Sequence, residues 1–295
     1  MDFTKMTGAG NDFIVLEAAS GLVTTPGVIR LLCDRRYGIG ADGLMIINRP
    51  KDGDAGAALS YSVDFYNADG SGGMLCGNGA RCTLVYAASR GFISYGTQAS
   101  FYFAGRLYNG MALAPNRARF LLDPRYTTRL EEGIGLGSVT ASGRYLDIGS
   151  LHFVVDLAGL EYASGGAEEG RIQGLSLEQL DVPSLGAALR NHERFAPSGV
   201  NVNFCSLAAG KLHIRTFERG VEGETLACGT GSTASALSYA LRGLVAPPVQ
   251  VVTRSGEELL IDFDDAAKPS RLSLEGPAKV VFQGRMDPAY LQGKG

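Results

Sequence analysis

The sequence predicts a mixed α/β protein built as two similar halves, and three observations carry that prediction. The first is an internal repeat. CGNGARCTLVYAASRG, beginning at Cys76, and CGTGSTASALSYALRG, beginning at Cys228, both read Cys-Gly-x-Gly, then small and apolar residues, then Arg-Gly at Arg90-Gly91 and Arg242-Gly243. The offset is 152 residues, about half of the 295-residue chain. The second is that an alternating, β-branched and aromatic stretch precedes each copy: SVDFYN (62–67) and HIRTFE (213–218) both read as strands. The third is that most remaining apolar runs are short and bounded by Gly, Pro or Asp, the mark of sheet strands joined by tight turns.

In chain order, TTPGVIRLLCDRR (24–36) carries helical spacing and GLMIINR (43–49) reads as a strand. The helix after Cys76 opens on glycines and Asn78 and stops before Gly91, and the helix after Cys228 opens at Thr230 and stops before Gly243. RFLLD (119–123), HFVVDLA (152–158) and VQVVTR (249–254) read as strands, and helical signal returns around SLEQL (176–180) and in ALRNHERF (188–195). A hinge is expected near Asp123-Pro124, with the strand AKVVFQG (278–284) returning to the first half. The expected domains are therefore 1–122 joined by about 280–295, and 123–279.

Composition narrows the function. With 27 basic against 30 acidic residues and a net charge of −3, the chain has no global field for nucleic acid or an anionic membrane. The N-terminus lacks a signal-peptide pattern and no apolar run is long enough to span a bilayer, so a cytoplasmic protein is expected. The five cysteines are an odd set without zinc spacing, and the three histidines are not clustered with them; free thiols and no metal site follow. Gly38 to Gly43 matches GxGxxG, but a helical segment precedes it and a strand follows, the reverse of a dinucleotide fingerprint, so it reads as a glycine-rich turn.

The two repeated cysteines are the candidate chemistry. A thiol at a helix N-terminus feels the positive end of the dipole, which favours the thiolate. Cys33, Cys82 and Cys205 sit in apolar or helical contexts and read as small buried hydrophobes. Two halves packed about a pseudo-twofold axis would bring both helix N-termini to a shared cleft. There the N–H groups of Gly77, Asn78, Gly229 and Thr230 could hold a carboxylate whose α-carbon lies between two sulfurs. That arrangement suits 1,1-proton exchange without a cofactor: one thiolate removes the α-proton and the opposing thiol returns one to the other face.

These residues resemble the diaminopimelate epimerases over nearly the whole chain. FTKMTGAGNDF (3–13) looks like the family's opening block, FYNADG (65–70) through CGNGARC its first catalytic block, and Glu218-Arg219-Gly220 with ETLACGTG (224–231) its second. The resemblance implies two pseudo-symmetric domains, each a strongly curved mixed sheet around a central helix, with the active site in the cleft between them. It implies epimerisation of LL- to meso-2,6-diaminopimelate on the path to lysine and peptidoglycan, with Cys76 as proton donor and Cys228 as acceptor in that direction. By position, Asn11, Asn67, Asn201 and Arg219 hold the substrate's amino and carboxylate groups. His152 and Glu218 tune the thiols, and Glu218 can pair with a substrate ammonium. The expected partner is a small amino acid, with no cofactor and room for a homodimer.

Departures from the family pattern bear on recognition of the far end of the substrate more than on the chemistry. The family's Gly-Asn-Pro-His reads Gly149-Ser150-Leu151-His152, and Gly43 stands where many members carry glutamine. One extra residue lies around Val221-Glu222-Gly223, and Ser232-Thr233 replaces the common alanine-cysteine step. Two alternatives follow: a racemase of the same fold acting on proline, hydroxyproline or histidine, or a thiol redox protein using a Cys76–Cys228 disulfide.

Overall fold

The computed structural model describes all residues except 19–21, 51–58, 74–75, 163–169, 172–175 and 292–295. Residues 74–75 of the block leading to Cys76, and the last four of the expected C-terminal return, thus lie outside the described residues. The chain forms two compact units, Met1–Leu122 with Glu275–Gly295, and Asp123–Leu274.

The first unit runs β1 (Asp2–Gly8), β2 (Asn11–Glu17), α1 (Pro26–Cys33), β3 (Gly43–Asn48), β4 (Leu59–Asn67), α2 (Gly77–Ser89), β5 (Gln98–Phe103), β6 (Arg106–Ala114) and β7 (Arg117–Leu121). Ala9 and Gly10, both at positive φ, make the two-residue turn of the β1–β2 hairpin and so place Asn11 at the start of β2. Strand alternation sends side chains to two different helices. Phe13, Val15, Met45 and Ile47 face the core around α2, while Ile14, Leu16, Leu44 and Ile46 pack with Val28, Ile29 and Leu32 of α1. Helix α2 touches β1, β2, β3, β6 and β7, and its residues from Asn78 to Ala88 are buried, so the sheet surrounds it.

The second unit contains β8 (Thr127–Leu136), β9 (Val139–Asp147), β10 (Leu151–Asp156), β11 (Leu160–Tyr162), β12 (Gly170–Arg171), α3 (Val182–Arg190), β13 (Asn201–Ala208), β14 (Lys211–Glu218), β15 (Gly223–Thr225), α4 (Gly229–Leu241), β16 (Val249–Val252) and β17 (Glu258–Phe263). Helix α4 lies against β9, β10, β13, β14, β16 and β17, and its small residues (Gly231, Ser232, Thr233, Ala234, Ser235) let the strands approach closely. Helix α3 covers the opposite face with Phe153, Val155, Val202, Phe204 and Phe217 beneath it. The helical signal at 188–195 is corrected: α3 begins at Val182, capped by Asp181 with proline in its first turn, and stops at Arg190. Glu193–Phe195 is a separate 3-10 turn, opened by His192, whose ring accepts the Arg194 N–H at 3.2 Å. Likewise SLEQL holds only a 3-10 turn, Leu177–Gln179.

Two last strands close the chain, β18 (Leu272–Pro277) and β19 (Lys279–Arg285); β19 pairs antiparallel with β1, Asp2 opposite Arg285. The internal repeat of the sequence is a repeat of topology. From β19 through β1, β2, β3, β4, β5 to β6, the pairings run antiparallel, antiparallel, parallel, antiparallel, parallel, antiparallel. From β8 through β9, β10, β13, β14, β16 to β17 they run in the same order. The strands read from SVDFYN and HIRTFE are β4 and β14; β4 is the last strand before α2, and only the short β15 separates β14 from α4.

Candidate active site

Cys76 is the N-cap of α2. Its backbone is extended (φ −115°, ψ 106°), and its Sγ accepts the N–H of Gly79 at 3.4 Å. Helix geometry leaves the N–H groups of Gly77 and Asn78 without intrahelical acceptors, at the positive end of a 13-residue helix. Asn78 is held in one orientation by its neighbours. Arg81, fully buried, can only donate, and its Nη2 meets Asn78 Oδ1 at 2.9 Å. Asn78 Nδ2 therefore donates to Asn11 Oδ1 at 2.7 Å, and Asn11 Nδ2 donates to Asp42 Oδ2 at 3.0 Å. Beside this chain burial raises the Asp12 carboxyl, but hydrogen bonds from Arg35 and Lys5 outweigh it and hold Asp12 far below the usual carboxylate range.

Cys228 is the N-cap of α4 with nearly the same backbone (φ −121°, ψ 112°), and its Sγ accepts the N–H of Gly231 at 3.4 Å. Thr230 Oγ1 lies 3.5 Å from the sulfur. The N–H groups of Gly229 and Thr230 stand here as those of Gly77 and Asn78 stand in α2. Beneath this turn lies Asn203 of β13. A Cβ at Gly231 would fall 2.3 Å from Asn203 Oδ1, so only glycine fits. Thr216 Oγ1 donates to the same Oδ1 at 3.0 Å, and Asn203 Nδ2 faces His152 Nδ1 at 3.2 Å.

The diaminopimelate epimerase family profile matches residues 3–98 and 172–281. The chain is 35% identical to the diaminopimelate epimerase of Aquifex aeolicus, covering 99% of this chain and all of that one. It is 36% identical to that of Chlorobaculum tepidum, over 95% and 98% of the two chains. The chain belongs to the diaminopimelate epimerase family. Solved structures share the fold at low identity: a probable proline racemase from Agrobacterium radiobacter K84 with bound carbonate (15% identity, TM-score 0.66, covering 98% of this chain and 95% of that one) and a hydroxyproline epimerase from Agrobacterium vitis (14%, 0.66, 99% and 94%).

Of the remaining residues singled out from the epimerase pattern, Asn67 ends β4, opposite Gly43 of β3, and its Nδ2 donates to Ser71 Oγ at 3.0 Å. Asn201 uses its amide within the protein: Oδ1 accepts the Arg219 N–H at 2.8 Å and Nδ2 donates to the Leu151 carbonyl at 2.8 Å, which ties the start of β10 to the end of β14. Arg219 Nη1 donates to the Ser198 carbonyl at 3.3 Å. Burial pushes the Glu218 carboxyl above its ordinary 4.5, against the Thr225 hydroxyl. His152 is fully buried, and desolvation, with the Arg219 charge nearby, lowers its pKa from 6.5 to about 3. It is therefore a neutral imidazole across the physiological range.

Gly43, where many epimerases carry glutamine, has a physical reason. A Cβ there would sit 2.7 Å from the Phe65 ring and 2.8 Å from the Tyr66 carbonyl oxygen, so this chain has no room for a side chain at that point. Arg81, Asp42 and Asn203 were not singled out from the sequence. Arg81 lies inside the CGNGARC block and was legible there as a charge in a helix otherwise made of small and apolar residues. Asn203 had only its place in an alternating strand. A cavity of about 260 Å³ in the second unit, lined by Arg144, Asp156, Ser238 and Arg242 among others, lies at the C-terminal end of α4, the end opposite Cys228. Among the described residues no His, Cys, Asp and Glu group could hold a metal ion, and no helix is long and apolar enough to cross a membrane.

Proposed function

We propose that the chain interconverts LL- and meso-2,6-diaminopimelate by a two-base proton exchange, with Cys76 and Cys228 as the acid–base pair. The observation that carries this reading is the repeated capping: two thiols, in two topologically equivalent sheets, each at the mouth of a buried 13-residue helix. Membership of the epimerase family supports the substrate. Inverting a carbon needs a base on one face and an acid on the other, and a thiolate with a thiol supplies both. From LL to meso, Cys228 takes the α-proton and Cys76 returns one to the opposite face; the roles reverse on return. Each sulfur must come within about 3–3.5 Å of the α-carbon.

Charge that flows into the α-carboxylate as the C–H bond breaks is stabilised by the N–H groups of Gly77, Asn78, Gly229 and Thr230 and by the two helix dipoles behind them. The chemistry calls for neither metal nor cofactor. Asn11, Asn67, Asn201 and Arg219 are assigned to the substrate's amino and carboxylate groups, and Glu218 to a substrate ammonium. An amino-acid biosynthetic enzyme of this kind works in the cytoplasm.

The test is turnover of LL-diaminopimelate by the reduced protein in deuterated water. Early meso product should carry solvent deuterium at the inverted carbon while recovered substrate stays unlabelled. Equal labelling of both pools would mean a single base, and turnover of an added disulfide without epimerisation would point to redox chemistry instead.

A further inference from the structure

The polar groups behind Cys228 form a chain whose direction can be worked out donor by donor. Asn203 is fully buried, and its Nδ2 lies 3.4 Å from the Phe153 carbonyl oxygen and 3.2 Å from His152 Nδ1. A carbonyl oxygen only accepts, so the atom facing it is the NH₂ group, and Thr216 Oγ1, 3.0 Å from the other amide atom, donates to Oδ1. Two N–H donors cannot face one another, so His152 Nδ1 carries no proton and accepts from Asn203. The ring proton is then on Nε2, which meets Ser150 Oγ at 2.7 Å. Ser150 accepts that N–H, and its own proton is left for an acceptor such as a carboxylate oxygen.

The same Asn203 touches the turn that holds the thiol. Its Oδ1 occupies the space a side chain at Gly231 would need, and the Gly231 N–H is the one directed at Cys228 Sγ. From this geometry we infer that Asn203 is a positioning residue for the Cys228 half of the site: it fixes His152 as the Nε2–H tautomer, orients Ser150 as an outward donor, and supports the turn that aims the Gly231 N–H at the sulfur. The inference about orientation stands on the hydrogen bonds alone; its consequence for turnover rests on the epimerase reading above.

Ring nitrogen shifts of the reduced, substrate-free protein test it. The chain has three histidines, and His152→Gln identifies the signal that belongs to His152. The expected spectrum has an unprotonated Nδ1 and a protonated Nε2. Asn203→Asp keeps the shape but replaces the donor by an acceptor, so it should move the proton to Nδ1 or charge the ring, and lower kcat/KM on the order of tenfold, as losing an outer partner of a working side chain does elsewhere. Ser150→Ala removes only the far acceptor and should leave the tautomer as in the wild type. A wild-type spectrum with a protonated Nδ1, an unchanged tautomer in Asn203→Asp, or a tautomer that follows Ser150→Ala would each overturn the inference. If Asn203→Asp does not fold, the wild-type and Ser150→Ala spectra still decide it. The expected spectra without any turnover of diaminopimelate would leave the orientation standing and remove the functional reading alone.

Discussion

Cys76 and Cys228 close their helices in the same way: each Sγ accepts the backbone N–H three residues on, from Gly79 and from Gly231, at 3.4 Å. An N–H aimed at sulfur is worth more to a thiolate than to a thiol, and both sulfurs receive the same one. This shared contact accords with the proposal that either cysteine serves as base or as acid, although Thr230 Oγ1 adds a further contact at Cys228. In the proposed epimerisation the proton donor of one direction is the acceptor of the other, so a thiolate-favouring contact at both sulfurs fits either role.

Cys76→Ser and Cys228→Ser should each lower kcat by at least about a thousandfold with the fold retained, since a hydroxyl does not ionise usefully near neutral pH. Circular dichroism checks the fold and deuterium exchange checks the chemistry. Residual epimerisation within tenfold of wild type in either variant would remove that cysteine from the mechanism.

Gly231→Ala should cost more than a helix alanine ordinarily does. Its Cβ would meet Asn203 Oδ1 at 2.3 Å, and that oxygen is held by Thr216. We expect a loss of about 1–3 kcal/mol in urea unfolding, together with a fall in kcat, as the turn and its N–H shift away from the sulfur. Gly79 occupies the equivalent position in α2, where a Cβ would find only the Met45 sulfur at 3.3 Å and ordinary contacts beyond it. Gly79→Ala should therefore be milder, and equal losses in the two variants would contradict this account.

Gly43→Gln, which restores the side chain common in the family, should destabilise the protein by about 1–3 kcal/mol and give no gain in kcat/KM. The Phe65 ring and the Tyr66 carbonyl fill the space the new Cβ would take. A thermal melt at or above the wild-type midpoint would show that Phe65 gives way.

The pH dependence of stability follows from His152. Its folded pKa of about 3 lies below the ordinary 6.5, so below pH 6.5 the unfolded chain binds a proton the folded one refuses. The stabilisation is full above pH 6.5 and is lost as pH falls toward 3, with a slope approaching about 1.4 kcal/mol per pH unit from this group. The raised Glu218 carboxyl works in the opposite sense: its contribution is present below 4.5 and lost as pH rises through its folded value. The wild type and His152→Gln both carry the Glu218 contribution, so the difference between their profiles below pH 6.5 reports the histidine. Urea unfolding across that window should show stability rising with pH in the wild type and a flatter profile in His152→Gln; parallel profiles would mean that His152 is hydrated.

What the sequence made legible was whatever is local or repeated. Cys76 and Cys228 and their glycines share one spacing, with the strands before them one residue short of it, and the matching sheet order shows why: each copy is a strand, a cap and a central helix. The α3 boundary is also written locally, in Asp181 and the proline after it, whereas the polar run from 190 to 194 mimics a continuing helix and hides the stop at Arg190. The Asn203–His152 contact was not legible. It depends on β10 and β13 pairing in parallel with His152 opposite Asn201, a register set by packing between residues about fifty apart. Gly43 illustrates the same limit: its reason is the Phe65 ring on the neighbouring strand, which no spacing within the glycine's own segment encodes.

The final prediction concerns the distal end of the substrate. Diaminopimelate carries a second amino-carboxylate group, and a buried charged end must be fully hydrogen-bonded or it costs several kcal/mol. In the second unit the donor assigned to take a carboxylate as a fork is Arg219, whose backbone N–H is held by Asn201 and whose Nη1 is steadied by the Ser198 carbonyl at 3.3 Å. Arg219→Ala should lower kcat/KM for diaminopimelate on the order of a hundredfold, and Arg219→Lys should recover little, because an ammonium cannot reproduce the planar fork. Lysine and alanine lack the distal carboxylate and would leave Arg219 unpaired, so the wild type should discriminate against both. The decisive measurement is kcat/KM for diaminopimelate beside proline, hydroxyproline and histidine. Faster turnover of any of these three, or a diaminopimelate rate indifferent to Arg219→Ala, would move the chain's specificity away from a substrate with two amino-carboxylate ends.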